Sequence, residues 1–166
     1  MGLFYQRLDT VGDGSGDTNM NVDGSSTPVI FRVKPDVGEA LNLSRIMIYV
    51  QDSGTMDAVK WGNGIVMSTG IEFRQKQGST TTNILGFNVL SSGEMTSVCH
   101  DITHEKFGSG DEFISWRWTF TKAGLFLKTQ GSGRRTSEGE GDEFQVVIND
   151  NFSGLEAMYV MAQGYY

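Results

Sequence analysis

Apolar residues along the chain recur chiefly at every second position, in short runs separated by Gly, Asn, Asp and Ser, which is how half-buried strands read. Helical periodicity is nearly absent. Pro28 to Lys34 sets Val29, Phe31 and Val33 on one face. In Leu41 to Val50, Ile46, Ile48 and Val50 oppose Leu43, Met47 and Tyr49, a pattern that predicts a central strand covered on both sides. Ile65–Met67 and Ile71–Gln75 flank Ser68-Thr69-Gly70 and predict a hairpin, because its Gly can take a positive φ. Ile84–Leu90 reads as a strand in which Gly86 marks a bulge or a close backbone approach. From Glu112 to Thr121 the alternation is clearest, with Ile114, Trp116, Trp118 and Phe120 on the face expected to be core. Lys122-Ala123-Gly124 is expected to turn the chain into Leu125–Lys128. Phe144, Val146 and Ile148 define the next strand, and Leu155, Ala157, Tyr159 and Met161 share one side of the last. Eight or nine such strands predict an all-β fold: an antiparallel β-sandwich, jelly-roll-like, with long Gly-rich loops.

The division expected is an N-terminal arm and Gly/Asp-rich loop over residues 1–27, followed by a single sandwich domain over 28–166. Gly12–Thr27, Gln51–Asn63 and Gln130–Asp142 are long polar connections, of the kind that carries binding function or is disordered. With 166 residues the chain can bury roughly 70% of its unfolded surface without a disulfide framework. It has no pair to form one, since Cys99 is its single cysteine. Net charge is −7 and no Lys/Arg block exceeds two residues, so nucleic acid is not expected as a partner. The first residues lack the basic-then-apolar layout of a signal peptide, and no apolar run approaches the ~18 residues of a membrane helix. A soluble, reduced protein made in the cytoplasm, without membrane contact, is the expectation.

Candidate chemistry is sparse. His100 and His104 have the spacing of a zincin pair, with Asp101 in place of the Glu, but no long helix or third ligand accompanies them, so a solvated loop or edge strand is expected. Asp13, Asp17 and Asp23 offer oxygen ligands in the manner of a calcium loop. The match fails at Thr18 and Gly24, where an EF-hand starting at Asp13 needs Gly and Glu, and an Asx-turn-rich connector is preferred. Arg134 and Arg135 follow Gly131-Ser132-Gly133 and precede an acidic run, which suits a solvated loop or an inter-subunit contact better than a nucleotide loop. Trp61, in Lys60-Trp61-Gly62-Asn63-Gly64, is the one Trp placed where a loop could offer it to a sugar ring. No nucleophile elbow or distinct acid pair is present, so no enzyme, catalytic residue, cofactor or metal is expected. Asp13, Asp17, Asp23, Trp61, Arg134 and Arg135 remain as candidate interaction-loop residues.

Several stretches together resemble small virion structural proteins of tailed bacteriophages, the capsid decoration and neck or tail accessory proteins. They are Ser26-Thr27-Pro28-Val29-Ile30-Phe31, Asp52-Ser53-Gly54-Thr55-Met56-Asp57, Gly62-Asn63-Gly64-Ile65 with Thr69-Gly70-Ile71, Arg117-Trp118-Thr119-Phe120, Val147-Ile148-Asn149-Asp150 and Gln163-Gly164-Tyr165. The likeness spans most of the chain and consists of turns and strand ends. The Gln130–Asp142 excursion is longer than that pattern. The resemblance implies a non-enzymatic virion protein, first of all a capsid decoration (cement) protein that binds the major capsid protein or other virion proteins through loops and edge strands as a homo-oligomer. A neck or tail accessory protein, or a carbohydrate- or receptor-binding β-module, is the alternative.

Overall fold

In a computed structural model, the 14-residue strand that the alternation places at the centre of a sheet is indeed central. The structure describes residues 2–8, 22–35, 40–53, 70–87, 101–106, 111–120, 125–128, 142–153 and 156–166. Among these run ten strands: β1 (Leu3–Arg7), β2 (Val29–Val33), β3 (Ala40–Ser53), β4 (Ile71–Gln77), β5 (Thr80–Phe87), β6 (Asp101–Lys106), β7 (Asp111–Thr119), β8 (Leu125–Lys128), β9 (Asp142–Ile148) and β10 (Ala157–Tyr165). They form two antiparallel sheets. The six-stranded sheet runs β1-β10-β3-β7-β6 with β8 also on β3, and the four-stranded sheet runs β2-β9-β4-β5.

One apolar core lies between the sheets. Ile46, Ile48 and Val50 from β3, Trp116 and Trp118 from β7, and Val160 and Ala162 from β10 meet Phe31, Val33, Ile71, Phe73, Phe144, Val146 and Ile148 of the other sheet. Aromatic rings lock the sheets together: Phe73 meets Trp118 edge-on at 5.0 Å between centroids, and Phe120 meets Phe144 at 5.6 Å. The all-β sandwich is thus the observed architecture; Phe31 and Val33, Trp116 and Trp118, and Phe144, Val146 and Ile148 are buried on the expected core faces of β2, β7 and β9, and β9 is buried on its other face as well.

The differences from the expectation each have a local cause. Leu43 does not oppose Ile46; both are fully buried on the core side. The register of β10 against β3 jumps from Gln163↔Arg45 to Gly164↔Leu43, so a bulge at Ser44 resets the alternation. Gly164 sits at that irregularity because a Cβ there would lie 2.2 Å from the Asn42 carbonyl oxygen. Leu125–Lys128 is not a reversed strand. It follows β7 along the same side of β3 in the same direction, with Thr119 opposite Arg45 and Leu125 opposite Leu43. The bulge facing β4 falls at Ile84, which is skipped between Leu85 and Asn83, rather than at Gly86. Gly78, at φ 62°, makes the two-residue turn joining β4 to β5, and Gly70 has the positive φ expected of it, 83°. The first arm of the Ile65–Met67 hairpin lies outside the described residues. Residues from the N-terminal stretch are built into the sandwich: β1 borders the six-stranded sheet, while Leu8 and Val22 belong to the core.

Two substitutions test this packing. Trp118→Ala should lower the unfolding free energy by about 3–5 kcal/mol in urea denaturation, as expected for a buried aromatic ring. Gly164→Ala should cost about 1–3 kcal/mol, because the bulge backbone must move to admit one methyl group.

Candidate functional site

Antiparallel sandwiches usually turn polar side chains to the outside. The four-stranded sheet does so except at Ile30 and Val147, which are paired with each other on that face. On its outer face Glu143, nearly buried, pairs with Arg32 at 3.1 Å and Lys34 at 3.6 Å and accepts a 2.5 Å hydrogen bond from Gln145. Beside this group, Arg74 donates to Glu72, which also accepts from Asn149 at 3.4 Å. The network satisfies its own charges.

The outer face of the six-stranded sheet is different. Because β10, β3 and β7 pair in register, Met161 lies beside Met47, Tyr159 beside Tyr49, and Gln51 beside Phe113. Tyr5 of β1 lies opposite Gln163, one step along. The result is a diagonal belt, Tyr5, Met161, Tyr159, Tyr49 and Phe113, which crosses four strands and lines an open groove of about 460 Å³. Strand and residue spacings make the belt ~25 Å long.

Rings and thioethers hold each other in place. Tyr49 stacks on Phe113 with centroids 5.3 Å apart and planes at 27°. The Tyr5 hydroxyl donates to Met161 Sδ and the Tyr49 hydroxyl to Met47 Sδ, both at 3.2 Å. Burial pushes the Tyr49 phenol above its ordinary value; the neighbouring Tyr5 adds to this, and the guanidiniums of Arg117 and Arg45 oppose it. Arg45 Nη1 reaches Gln163 Oε1 at 3.4 Å on the rim. Planar apolar faces with amide and guanidinium donors at the margin can bind. The belt has no convergent nucleophile and base of the kind acyl or glycosyl transfer needs.

Of the residues singled out from the sequence, Asp13, Asp17, Trp61, Arg134 and Arg135 lie outside the described residues, as does His100. Asp23 is described and exposed. The Ser25 hydroxyl donates to its Oδ1 at 2.6 Å and the Ser25 amide at 3.0 Å, and these bonds, the hydroxyl's first, hold its carboxyl below the usual range. This is an Asx turn. It ends a short antiparallel bridge to Asn151, in which Gly24 N donates to the Asp150 carbonyl at 2.9 Å and Phe152 N to that of Val22 at 2.7 Å. His104 lies in β6, an edge strand, where a zincin pair would need a helix. Among the described residues no three His, Cys, Asp or Glu side chains gather as metal ligands.

Sequence reading missed the belt. The available signal was the double-sided apolar pattern of Ile46–Val50, which asks what covers Met47 and Tyr49. No family model, curated protein or solved structure matches the chain.

Tyr49 offers a titration test. Its folded proton is held past the ordinary value of 10.0, so above that pH the unfolded chain binds fewer protons than the native one. Stability should fall as pH rises through this value and level off beyond the raised native one. Thermal melts across alkaline pH should show a shallower decline in Tyr49→Phe.

Proposed function

We propose that this chain is a non-enzymatic virion structural protein of a tailed bacteriophage, foremost a capsid decoration protein, and that it docks on its protein partner through the aromatic belt. The sequence resemblance supports the virion setting. The docking reading is carried by one observation: the outer face of the six-stranded sheet bears Tyr5, Tyr49, Phe113, Tyr159 and Met161 where a solvated sandwich carries polar groups. Tyr, Phe, Met and Arg are the residue types enriched in protein interfaces, where a few aromatic anchors supply most of the affinity. Arg45 and Arg117 at the margin suit a partner that presents carboxylates. The sequence reading expected loops and edge strands to make the contact; the belt adds a preformed surface between them.

A second reading follows from the Tyr49–Phe113 pair, whose stacked rings resemble a platform for a sugar face. It predicts quenching or a shift of tyrosine fluorescence with an oligosaccharide panel, abolished in Phe113→Ala.

For the virion reading, the protein should be present in stoichiometric amounts in purified particles. Tyr159→Asp, assayed well below its own melting transition, should weaken attachment to particles lacking the protein about 30-fold or more, the loss of an interface hot spot of about 2 kcal/mol. A protein absent from particles, or attachment unchanged by the substitution, would overturn the proposal.

A further inference from the structure

Strand β1 borders the six-stranded sheet and, among the described residues, pairs only with β10. Its hydrogen-bonding parity is fixed at both ends. Tyr166 N donates to Gly2 O at 2.9 Å, and Leu8 N donates to Val160 O at 2.7 Å. Even-numbered residues therefore turn their backbone groups to β10, and Leu3, Tyr5 and Arg7 turn theirs to the open edge. Leu3 and Tyr5 are also the exposed large hydrophobics of the described residues, at 78% and 56%. Natural edge strands are guarded by Lys, Pro or bulges. The stretch Leu3-Phe4-Tyr5-Gln6-Arg7 has no Lys or Pro and a single charged residue, Arg7 at its end, and its pairing with β10 is regular. Among the other edges of the described sheets, β2 has Phe31 and Val33 buried and Val29 and Ile30 half-buried, β5 exposes Thr80–Asn83, and β6 carries Asp101, His104, Glu105 and Lys106.

We propose that β1 pairs antiparallel with β1 of a second copy about a two-fold axis at Tyr5, joining two six-stranded sheets into one. The open-edge residues are centred on Tyr5, so such an axis sets Tyr5 opposite Tyr5 and each Leu3 opposite the other copy's Arg7. All three pairs are of the hydrogen-bonded kind, and no outward backbone group between Leu3 and Arg7 is left over. The axis stands perpendicular to the sheet at the end of the aromatic belt. A diagonal line through a two-fold maps onto itself, so the belts of both copies join into one stripe and the two Tyr5 rings form an aromatic cross-strand pair. A strand of other sequence would satisfy the backbone bonds but would not continue the stripe. The pairing concerns the purified chain alone and does not rest on the virion reading. The contact is small and its association depends on concentration.

Sedimentation velocity from about 1 µM to about 1 mM, the range in which weak interfaces form, should show the 18.2 kDa chain passing to twice its mass. Of the backbone groups, Tyr5→Pro deletes only an N–H that faces the open edge, a place where strands tolerate proline; it also removes the ring and the hydroxyl that donates to Met161 Sδ. It should remain monomeric, with a melt at low concentration matching that of Tyr5→Ala, which lacks the same ring but keeps the N–H. Should that variant fail to fold, Leu3→Lys decides, since it keeps the backbone and guards the edge; it should weaken association at least tenfold. Register is read by disulfide trapping in a Cys99→Ser background, with diamide taking two electrons and two protons from each thiol pair. Tyr5→Cys should give a covalent dimer, because paired Cα atoms ~5.5 Å apart suit a disulfide. Leu3→Cys alone should not, and Leu3→Cys with Arg7→Cys should. A monomer at every concentration, a dimer untouched by folded Tyr5→Pro and by Leu3→Lys, or trapping at Leu3 but not at Tyr5 would each overturn the proposal.

Discussion

Strand geometry sends successive side chains to opposite faces, and in β3 apolar side chains go to both. Ile46, Ile48 and Val50 face the second sheet, while Met47 and Tyr49 face outward. Apolar surface left in water costs free energy in proportion to its area, about 25 cal/mol per Å². A sandwich covers only one face of each sheet. The outward side of β3 is covered instead by neighbours within its own sheet, Tyr159 and Met161 from β10 and Phe113 from β7, so that Met47 is only 5% exposed. The requirement to cover the outer side of one central strand thus gathers the aromatic belt.

Much of the fold was legible in alternation alone. The faces of β2, β7 and β9 could be read from Val29/Phe31/Val33, Trp116/Trp118 and Phe144/Val146/Ile148 because each run has its continuous apolar row on one side, with only Ile30 and Val147 apolar on the other side of β2 and β9. The bulge at Ser44 was not legible: it depends on Gly164 meeting the Asn42 carbonyl, a contact between positions 122 residues apart. Strand β1 escaped because five residues, Leu-Phe-Tyr-Gln-Arg, carry too short an alternation to separate from a loose arm. The same limit hid the belt. Residues 5, 49, 113, 159 and 161 mean nothing together until pairing order is known, and pairing order is set by the register of whole strands.

The two outer faces differ in how their side chains are engaged. On the four-stranded sheet, Glu143 is held by Arg32, Lys34 and Gln145, and Glu72 by Arg74, so charges there are neutralised locally and offer little to a partner. On the six-stranded sheet the rings remain accessible while their thioether and stacking contacts fix their positions. An interface gains most from groups that lose little freedom on binding, and a Tyr ring has only two side-chain torsions to immobilise.

Placement on strands sharpens that advantage. Loops can adapt to a partner, but ordering them opposes association, whereas side chains carried by a hydrogen-bonded sheet are presented at fixed spacing before any partner arrives. Tyr5 lies where this rigid face meets the open edge of β1, so its ring belongs to the belt and its backbone to the edge. Face and edge are therefore coupled through one residue. Extending the sheet at that edge would lengthen the same platform without reshaping it, and two linked platforms would raise the effective concentration of each for neighbouring sites on a repeating surface.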